Sequence, residues 1–173
     1  MAITDVLSGK VRLEITADLD RTNTTGSHVG TDKMSHVITE NIADGTTADK
    51  ATVWFSSQFT ATTGGITISL ADSADPLGAA GDEVPTADPE GLKMKLIVVE
   101  NIDATNYVNL TVGTNGVSNW LTGTTPVLRI PSTGWVAHYL PAGIDALNDG
   151  VDDEIKITAD TASCLVNISV LYG

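Results

Sequence analysis

The stretch DALNDGVDDE, at residues 145–154, places several carboxylate and amide side chains around one glycine. Calcium prefers clustered oxygen ligands, so Asp145, Asp149 and Asp152 are candidate calcium ligands. Their spacing departs from the calcium-loop pattern in which alternate acidic or amide residues precede a glycine and a glutamate closes the loop at the twelfth position. An Asn-Asp-Gly turn leading into a strand is the favoured interpretation, and calcium binding is the alternative.

Histidine, cysteine and serine offer little further chemistry. His28, His36 and His138 occur in no His-x-x-x-His pattern, and Cys164 is the single cysteine, so a zinc site would have to be assembled by the fold alone. The serine in PSTGW (131–135) precedes a glycine, but a turn before a strand explains the motif. The chain has no Gly-x-Ser-x-Gly elbow, phosphate-binding loop or dinucleotide fingerprint. We therefore expect neither an enzyme nor a protein with a metal or cofactor.

Three tryptophans are the large aromatic platforms of a chain with 5% aromatic residues. Trp54, Trp120 and Trp135 are candidate interface residues, since tryptophan is enriched among residues that dominate binding energy. Trp54 falls on the polar side of an alternating segment. Trp120 lies in a Gly/Asn-rich turn region, where burial against the same domain is favoured over a role as a surface anchor.

Period-two alternation of apolar and polar residues runs along nearly the whole chain and predicts strands. The chain is therefore expected to be all-β, an antiparallel β-sandwich or jelly-roll-like fold of eight to ten strands in a single domain, 1–173. One short helical turn at residues 141–150 is the most helix the pattern allows. The predicted strands lie near residues 11–15, 53–59, 66–70, 92–101, 108–112, 127–130, 135–140, 155–157 and 166–172.

Two segments interrupt this alternation. Residues 20–35 are polar and rich in turn-forming types, which predicts a loop or an extended arm, and Arg21 and Lys33 within it are further interface candidates. Residues 71–91 combine prolines and glycines with six acidic residues, which predicts a long acidic loop.

The charge balance limits the classes of partner. The chain has 22 acidic and 9 basic residues, a formal net charge of −13. Nucleic-acid phosphates and anionic membrane surfaces are both bound through Lys and Arg, so neither is an expected partner. The N-terminal residues lack the basic start and apolar run of a signal peptide, and no segment has the length of apolar residues that a membrane span needs. We therefore expect synthesis in a cytoplasm without export by the usual route.

Three stretches together resemble small virion proteins of tailed bacteriophages. Shared features are an Asp-Gly-Thr turn before a strand, a central Lys-x-Leu-x-Val-x-Asn-type strand, and a Pro-x-Gly-aromatic turn before the last sheet. Relatives commonly have Pro-Gly-Gly at that turn, whereas this chain has Pro-Ser-Thr-Gly before Trp135. The stretches are DGTTADKATVWFSSQFTATTGGITISLAD (44–72), LKMKLIVVENIDATNYVNLTVGT (92–114) and PVLRIPSTGWVAHYLPAGIDALNDGVDDEIKITADTASCLVNISVLYG (126–173).

The resemblance implies a β-sandwich that joins a virion, most simply as a capsid decoration (cement) protein on the outer surface of the head. The implied partners are the major capsid protein or another virion protein, and further copies of the chain in a trimer or dimer. The implied location is the virion, assembled in the bacterial host cytoplasm. The alternative is a tail or fibre module that recognises a host glycan through its tryptophans and acidic loops.

Overall fold

The computed structural model describes residues 9–22, 28–44, 50–51, 53–71, 91–117, 120–121, 126–144, 146–148, 151 and 153–173. These residues form strands, turns and extended segments, and no helix long and apolar enough to cross a membrane occurs among them. The strands are β1 (Gly9–Thr22), β2 (His28–Asp44), β3 (Lys50–Ala51), β4 (Val53–Ala61), β5 (Ile66–Ser69), β6 (Met94–Asn101), β7 (Val108–Val112), β8 (Leu128–Ile130), β9 (Trp135–Tyr139), β10 (Glu154–Ala159) and β11 (Cys164–Tyr172).

Eight of these strands build a β-sandwich, as the alternation predicts. One sheet has the order β4-β11-β6-β9 and the other β5-β10-β7-β8, and every pair within them is antiparallel. Successive strands mostly alternate between the two sheets, with β7 and β8 the one consecutive pair that is joined directly. Strand β11 lies in the interior of its sheet, between β4 and β6.

The core lies between the two sheets and comes from the apolar half of each alternating strand. In β11 every second residue from Cys164 to Tyr172 is buried, and in β10 the same holds from Ile155 to Ala159. Burying an aliphatic side chain of this size contributes about 1.5–3 kcal/mol, so the shared layer dominates the stability of the fold. Burial raises the pKa of the Cys164 thiol, and the charges of Asp103 and Asp160 raise it further.

The third sheet has the order β1-β2-β3. Strands β1 and β2 pair antiparallel along their whole length, from Gly9 opposite Ile42 to Thr22 opposite His28. At its base Ile42 is 5% exposed, and Ile42 and Lys50 line a small cleft together with three residues near the end of the sandwich, Lys95, Tyr139 and Pro141. The base of this hairpin therefore lies beside the edge strand β9.

Every predicted strand has its counterpart, and the eight strands of the sandwich fall within the expected eight to ten. The third sheet brings the described residues to eleven strands. The long strand β2 is the main addition. Residues 20–22 and 28–35 of the segment 20–35, for which a loop or an extended arm is expected, belong to the extended strands β1 and β2, which pair with each other. Residues 23–27 of that segment lie outside the described residues, as do residues 72–90 of the expected acidic loop.

The sequence allows at most one short helical turn at residues 141–150, and the described residues of this segment, 141–144 and 146–148, contain no helix. Gly143 closes a turn on Leu140 with a left-handed φ of 76°, a conformation that glycine adopts without strain. Ala146 then bridges Lys93 in an antiparallel sense, and the Leu147 N–H donates to the Leu92 carbonyl at 2.9 Å. Ala146 and Leu147 therefore lie alongside the residues that precede β6, so this described part of the segment is strand-like rather than helical.

Candidate interaction surface

The two four-stranded sheets each turn one face to the core and one outward. We call the outward face of β4-β11-β6-β9 the tryptophan face, after Trp135, and the outward face of β5-β10-β7-β8 the threonine face, after Thr67, Thr111 and Thr158. Alternating burial along β6 and β11 separates the inward residues from the outward ones. These two faces are the broad surfaces available to a partner.

One row of the tryptophan face crosses all four strands. Gln58 of β4 pairs with Asn167 of β11, Asn167 pairs with Glu100 of β6, and Glu100 pairs with Trp135 of β9. Directly opposite residues in antiparallel strands have Cβ atoms about 4.5–5.5 Å apart. The register therefore brings two amides, a carboxylate and an indole together in one line.

Side-chain hydrogen bonds connect the polar part of this row. Gln58 Nε2 donates to Asn167 Oδ1 at 3.0 Å, and Asn167 Nδ2 donates to Glu100 Oε2 at 2.8 Å. The chain of bonds orients both amides, and Gln58 keeps a carbonyl oxygen and one N–H, and Glu100 further carboxylate lone pairs, beyond these two bonds. The row is a preorganised polar strip beside an aromatic ring.

Two exposed aliphatic residues lie next to the row, which itself ends at the exposed Trp135. Trp135 is 59% exposed, Leu165 44% and Ile102 37%. The Ile102 N–H donates to the Leu165 carbonyl at 3.1 Å, which holds these two residues side by side just past the row. An exposed tryptophan among exposed aliphatic residues, bordered by polar groups, has the composition of a protein-interaction site.

A tight turn presents Trp135. The Gly134 N–H donates to the Pro131 carbonyl at 3.0 Å, and a Cβ at Gly134 would lie 2.7 Å from Pro131 Cγ. Glycine is therefore required by close approach, and Thr133 adopts a left-handed φ of 54° in the same turn. The PSTGW motif is a turn that feeds a strand, as predicted.

Asn101 anchors that turn to the end of β6. Its side chain is fully buried, and its Nδ2 donates to the carbonyls of Asn106 at 2.8 Å and Pro131 at 3.0 Å. Its backbone N–H donates to the Gly134 carbonyl at 2.8 Å. The buried Asn101 side chain, whose N–H groups have hydrogen-bond acceptors, thus fixes the start of β9 and with it Trp135.

Asp103 orders the adjoining loop. Its Oδ1 accepts the N–H groups of Asn106 at 2.7 Å and Thr105 at 2.8 Å. These backbone hydrogen bonds, from Asn106 first and Thr105 next, lower the pKa of the Asp103 carboxyl.

The threonine face differs in chemistry. Across it Thr67 pairs with Lys156, and Lys156 pairs with Thr111. Near its edge the Arg129 guanidinium lies 4.1 Å from the centre of the Tyr107 ring, a cation–π contact. This face is polar and carries basic groups on an otherwise acidic chain.

Among the predicted interface residues, Trp120 lies in the core rather than on the surface. It is 7% exposed, and its Nε1 donates to His138 Nδ1 at 2.9 Å. The bond satisfies the one donor of the indole, so burial carries no penalty for an unpaired group. Burial against the same domain was the favoured alternative for this residue, and the surface-anchor role is corrected.

For three further candidate interface residues, the structure describes only the backbone position in a strand. Trp54 of β4 pairs with Leu171, Arg21 of β1 pairs with Gly30, and Lys33 of β2 pairs with Asp18. The register does not bring Arg21 or Lys33 into the row that contains Trp135. Trp135 is therefore the sequence-predicted residue that the described structure places in an exposed site.

The candidate calcium ligands Asp145, Asp149 and Asp152 lie outside the described residues. The adjoining acids have structural contacts: buried Asp153 accepts a hydrogen bond from Ser69 Oγ, and Glu154 Oε2 accepts one from the Asn115 N–H at 3.0 Å. Within the described part of the chain, no three His, Cys, Asp or Glu side chains cluster closely enough to hold a metal.

Sequence reasoning missed the polar partners of Trp135. Asn167 and Glu100 occupy outward positions of alternating strands, a pattern that marks them as surface residues without naming their neighbours. A polar residue directly after the solid apolar run Leu96–Val99 was the available signal.

Comparison with protein-family models gives no match, and a search of curated proteins also finds none that matches this chain.

Proposed function

We propose that this protein is a structural virion protein that decorates the outer surface of a phage head and stabilises it. The observation that carries the proposal is the tryptophan face, a sheet surface on which Trp135 of the edge strand β9 is 59% exposed, and Leu165 of β11 and Ile102 just after β6 are exposed at the same end. A surface of this kind suits attachment through broad contact. The resemblance of three stretches to phage virion proteins suggests that the partner is a phage capsid.

The strand order supports the same class of protein. Numbered from β4 as the first strand, the two sheets run 1-8-3-6 and 2-7-4-5. We propose that this arrangement is a jelly roll, a double-sheet fold found in viral capsid and lectin domains. Because one fold serves many functions, the strand order supports the proposal without carrying it.

Many copies on one shell would allow each contact to be modest. An interface centred on Trp135 with a polar rim of Gln58, Asn167 and Glu100 has the usual arrangement of an apolar centre and polar border. Self-association of the chain would multiply such contacts through effective concentration. With a net charge of −13, docking involves basic positions on the shell and weakens as salt is raised.

The direct experiment mixes purified protein with capsid shells of the phage that encodes it and measures co-sedimentation at low and high salt. We expect saturable binding with a fixed number of copies per shell, and weaker binding at high salt. Mass spectrometry of purified virions should find the protein in the same ratio. Absence from virions together with no binding to shells would overturn the proposal, while salt-independent binding would remove only its electrostatic part.

A second candidate function is glycan binding by a tail or fibre module. The observation that favours it is the polar strip beside Trp135, because a sugar ring can stack on an indole while amides and a carboxylate bind its hydroxyl groups. A glycan array probed with the wild type and with Asn167→Ala tests it. Binding that the variant loses supports this function, and an array without signal in the presence and absence of calcium refutes it.

A further inference from the structure

Strand β1 has an edge available for pairing. It is hydrogen-bonded to β2 from Gly9 to Thr22, and within the described residues no strand occupies its other side. A two-stranded hairpin is marginally stable in water, whereas three or more strands form a stable sheet. A long uncovered edge is also a template for another strand, and no proline interrupts β1.

The charges along β1 change sign from one end to the other. At every second position, the strand has Lys10 and Arg12, then Glu14, Thr16 and finally Asp18 and Asp20. Such a strand is complementary to an antiparallel copy of itself, because the copy presents its acidic end to the basic end of the first.

The register of such a pair is set by the charges. With Ile15 opposite Ile15 of the copy, Lys10 faces Asp20 and Arg12 faces Asp18, which gives four opposite-charge pairs by two-fold symmetry. Centred on Glu14 instead, the pair would place that glutamate against itself, and centred on Thr16 it would place Glu14 against Asp18. Like charges directly opposite are unfavourable, so the register centred on Ile15 is preferred.

The remaining positions of β1 agree with this register. Val11 falls opposite Leu19 and Leu13 opposite Ala17, so apolar residues meet apolar residues on one side while the charged pairs occupy the other. A shift by one residue would oppose apolar to charged positions throughout.

We propose that two copies of this chain associate by adding β1 to β1 antiparallel, with the two-fold axis at Ile15, so that the two three-stranded sheets become one continuous sheet of order β3-β2-β1-β1-β2-β3. The interface is isologous and selects a dimer from the trimer or dimer that the resemblance implies. The inference refines the self-association within the proposed function, yet it predicts a dimer in solution whether or not the protein binds a shell.

Charge reversal tests the pairing. The acidic variant Lys10→Glu/Arg12→Glu and the basic variant Asp18→Lys/Asp20→Arg each face themselves with like charges, so each should raise the dimer dissociation constant by about 100-fold or more. Mixed in equal amounts, the two should form a heterodimer, which also shows that both variants fold. Light scattering after size exclusion and analytical ultracentrifugation measure these states. A monomeric wild type, or a mixture that stays monomeric, overturns the proposal.

Cysteine cross-linking tests the register with a matched control. In a Cys164→Ser background, Ile15→Cys should form an intermolecular disulfide under mild oxidation, because the two Cα atoms would lie about 4.5–5.5 Å apart. Leu13→Cys should not, since its own copy would lie about 13 Å away along the strands. Mixing Leu13→Cys with Ala17→Cys should restore the cross-link. Equal cross-linking of Leu13→Cys alone contradicts the register. Shell binding measured separately on the same samples distinguishes failure of the dimer from failure of capsid attachment.

Discussion

The tryptophan face and the threonine face differ although their sheets share one core. Both sheets bury alternate residues in the same layer, with Leu110 and Ile157 from one and Val166 and Ile168 from the other fully buried. Outward, one sheet exposes Trp135 beside a hydrogen-bonded polar strip, and the other exposes threonines with Lys156 and Arg129.

This difference shows where function is encoded in a two-sheet fold. Inward positions are constrained by close packing, so the two sheets converge on similar aliphatic residues there. Outward positions are free of that constraint, and the exposed tryptophan is what makes one face a candidate interaction surface within the proposed function.

The largest effect should come from the shared core and should be the same for both sheets. Leu110→Ala in β7 and Ile168→Ala in β11 each remove a fully buried aliphatic side chain. We expect each to lower the free energy of unfolding by about 2–5 kcal/mol, measured by chemical denaturation. A large effect from one sheet alone would contradict a common core.

Removing the buried amide that anchors the turn before Trp135 should have the next largest effect. Asn101→Ala leaves the Pro131 and Asn106 carbonyls and the Asp103 N–H without this partner. We expect a loss of about 1–3 kcal/mol in denaturation, because unpaired buried polar groups are costly. The near-UV circular dichroism should also change around the tryptophans. An unchanged stability would show that water replaces the amide.

Truncating the exposed indole should separate the two faces in binding. Trp135→Ala should weaken attachment to capsid shells by about 30-fold, as for a central interface residue, while changing the free energy of unfolding by less than about 0.5 kcal/mol. Arg129→Ala on the threonine face is the matched control and should bind as the wild type does. Equal losses from both variants would remove the distinction between the faces.

A smaller effect is expected from the polar strip. Asn167→Ala breaks the bonds to Gln58 and Glu100, which should lower the free energy of unfolding by about 0.5–1.5 kcal/mol. Asn109→Ala is the control on the threonine face, since the described residues give its side chain no hydrogen bond, and it should change stability less. A reversed order of the two would show that the strip is not a stabilising element.

The smallest effect concerns the loop below the tryptophan face and depends on pH. Because the folded pKa of Asp103 lies below its ordinary value of 3.8, its carboxylate adds stability that is present above that value and is lost as the pH falls through the lowered folded pKa. Asp103→Asn keeps an acceptor without the charge. The stability difference between wild type and variant, followed by denaturation from neutral pH to strongly acidic pH, should therefore shrink on acidification. A difference independent of pH would contradict this role.

Much of the sandwich was predictable because alternation is a local property. Val166, Ile168 and Val170 could be assigned to one side of a strand from their spacing, and all three are buried. The pairing of residues 28–35 could not be predicted, because turn-forming residue types there do not prevent pairing when β1 lies alongside. Trp120 could not be placed from its loop composition, since its burial depends on an acceptor, His138, that is distant in the sequence.

The sequence by itself determined that this is an all-β chain, which residues of most strands face inward, and that Trp135 follows a turn. Only the tertiary structure decided that Gln58, Asn167, Glu100 and Trp135 stand in one row, because residues as far as 109 positions apart become neighbours there. A strand's period of two specifies which side each residue faces. Packing across the whole core determines which strands are neighbours and in which register they pair. The set of residues that share the candidate interaction surface therefore depends on the folded structure.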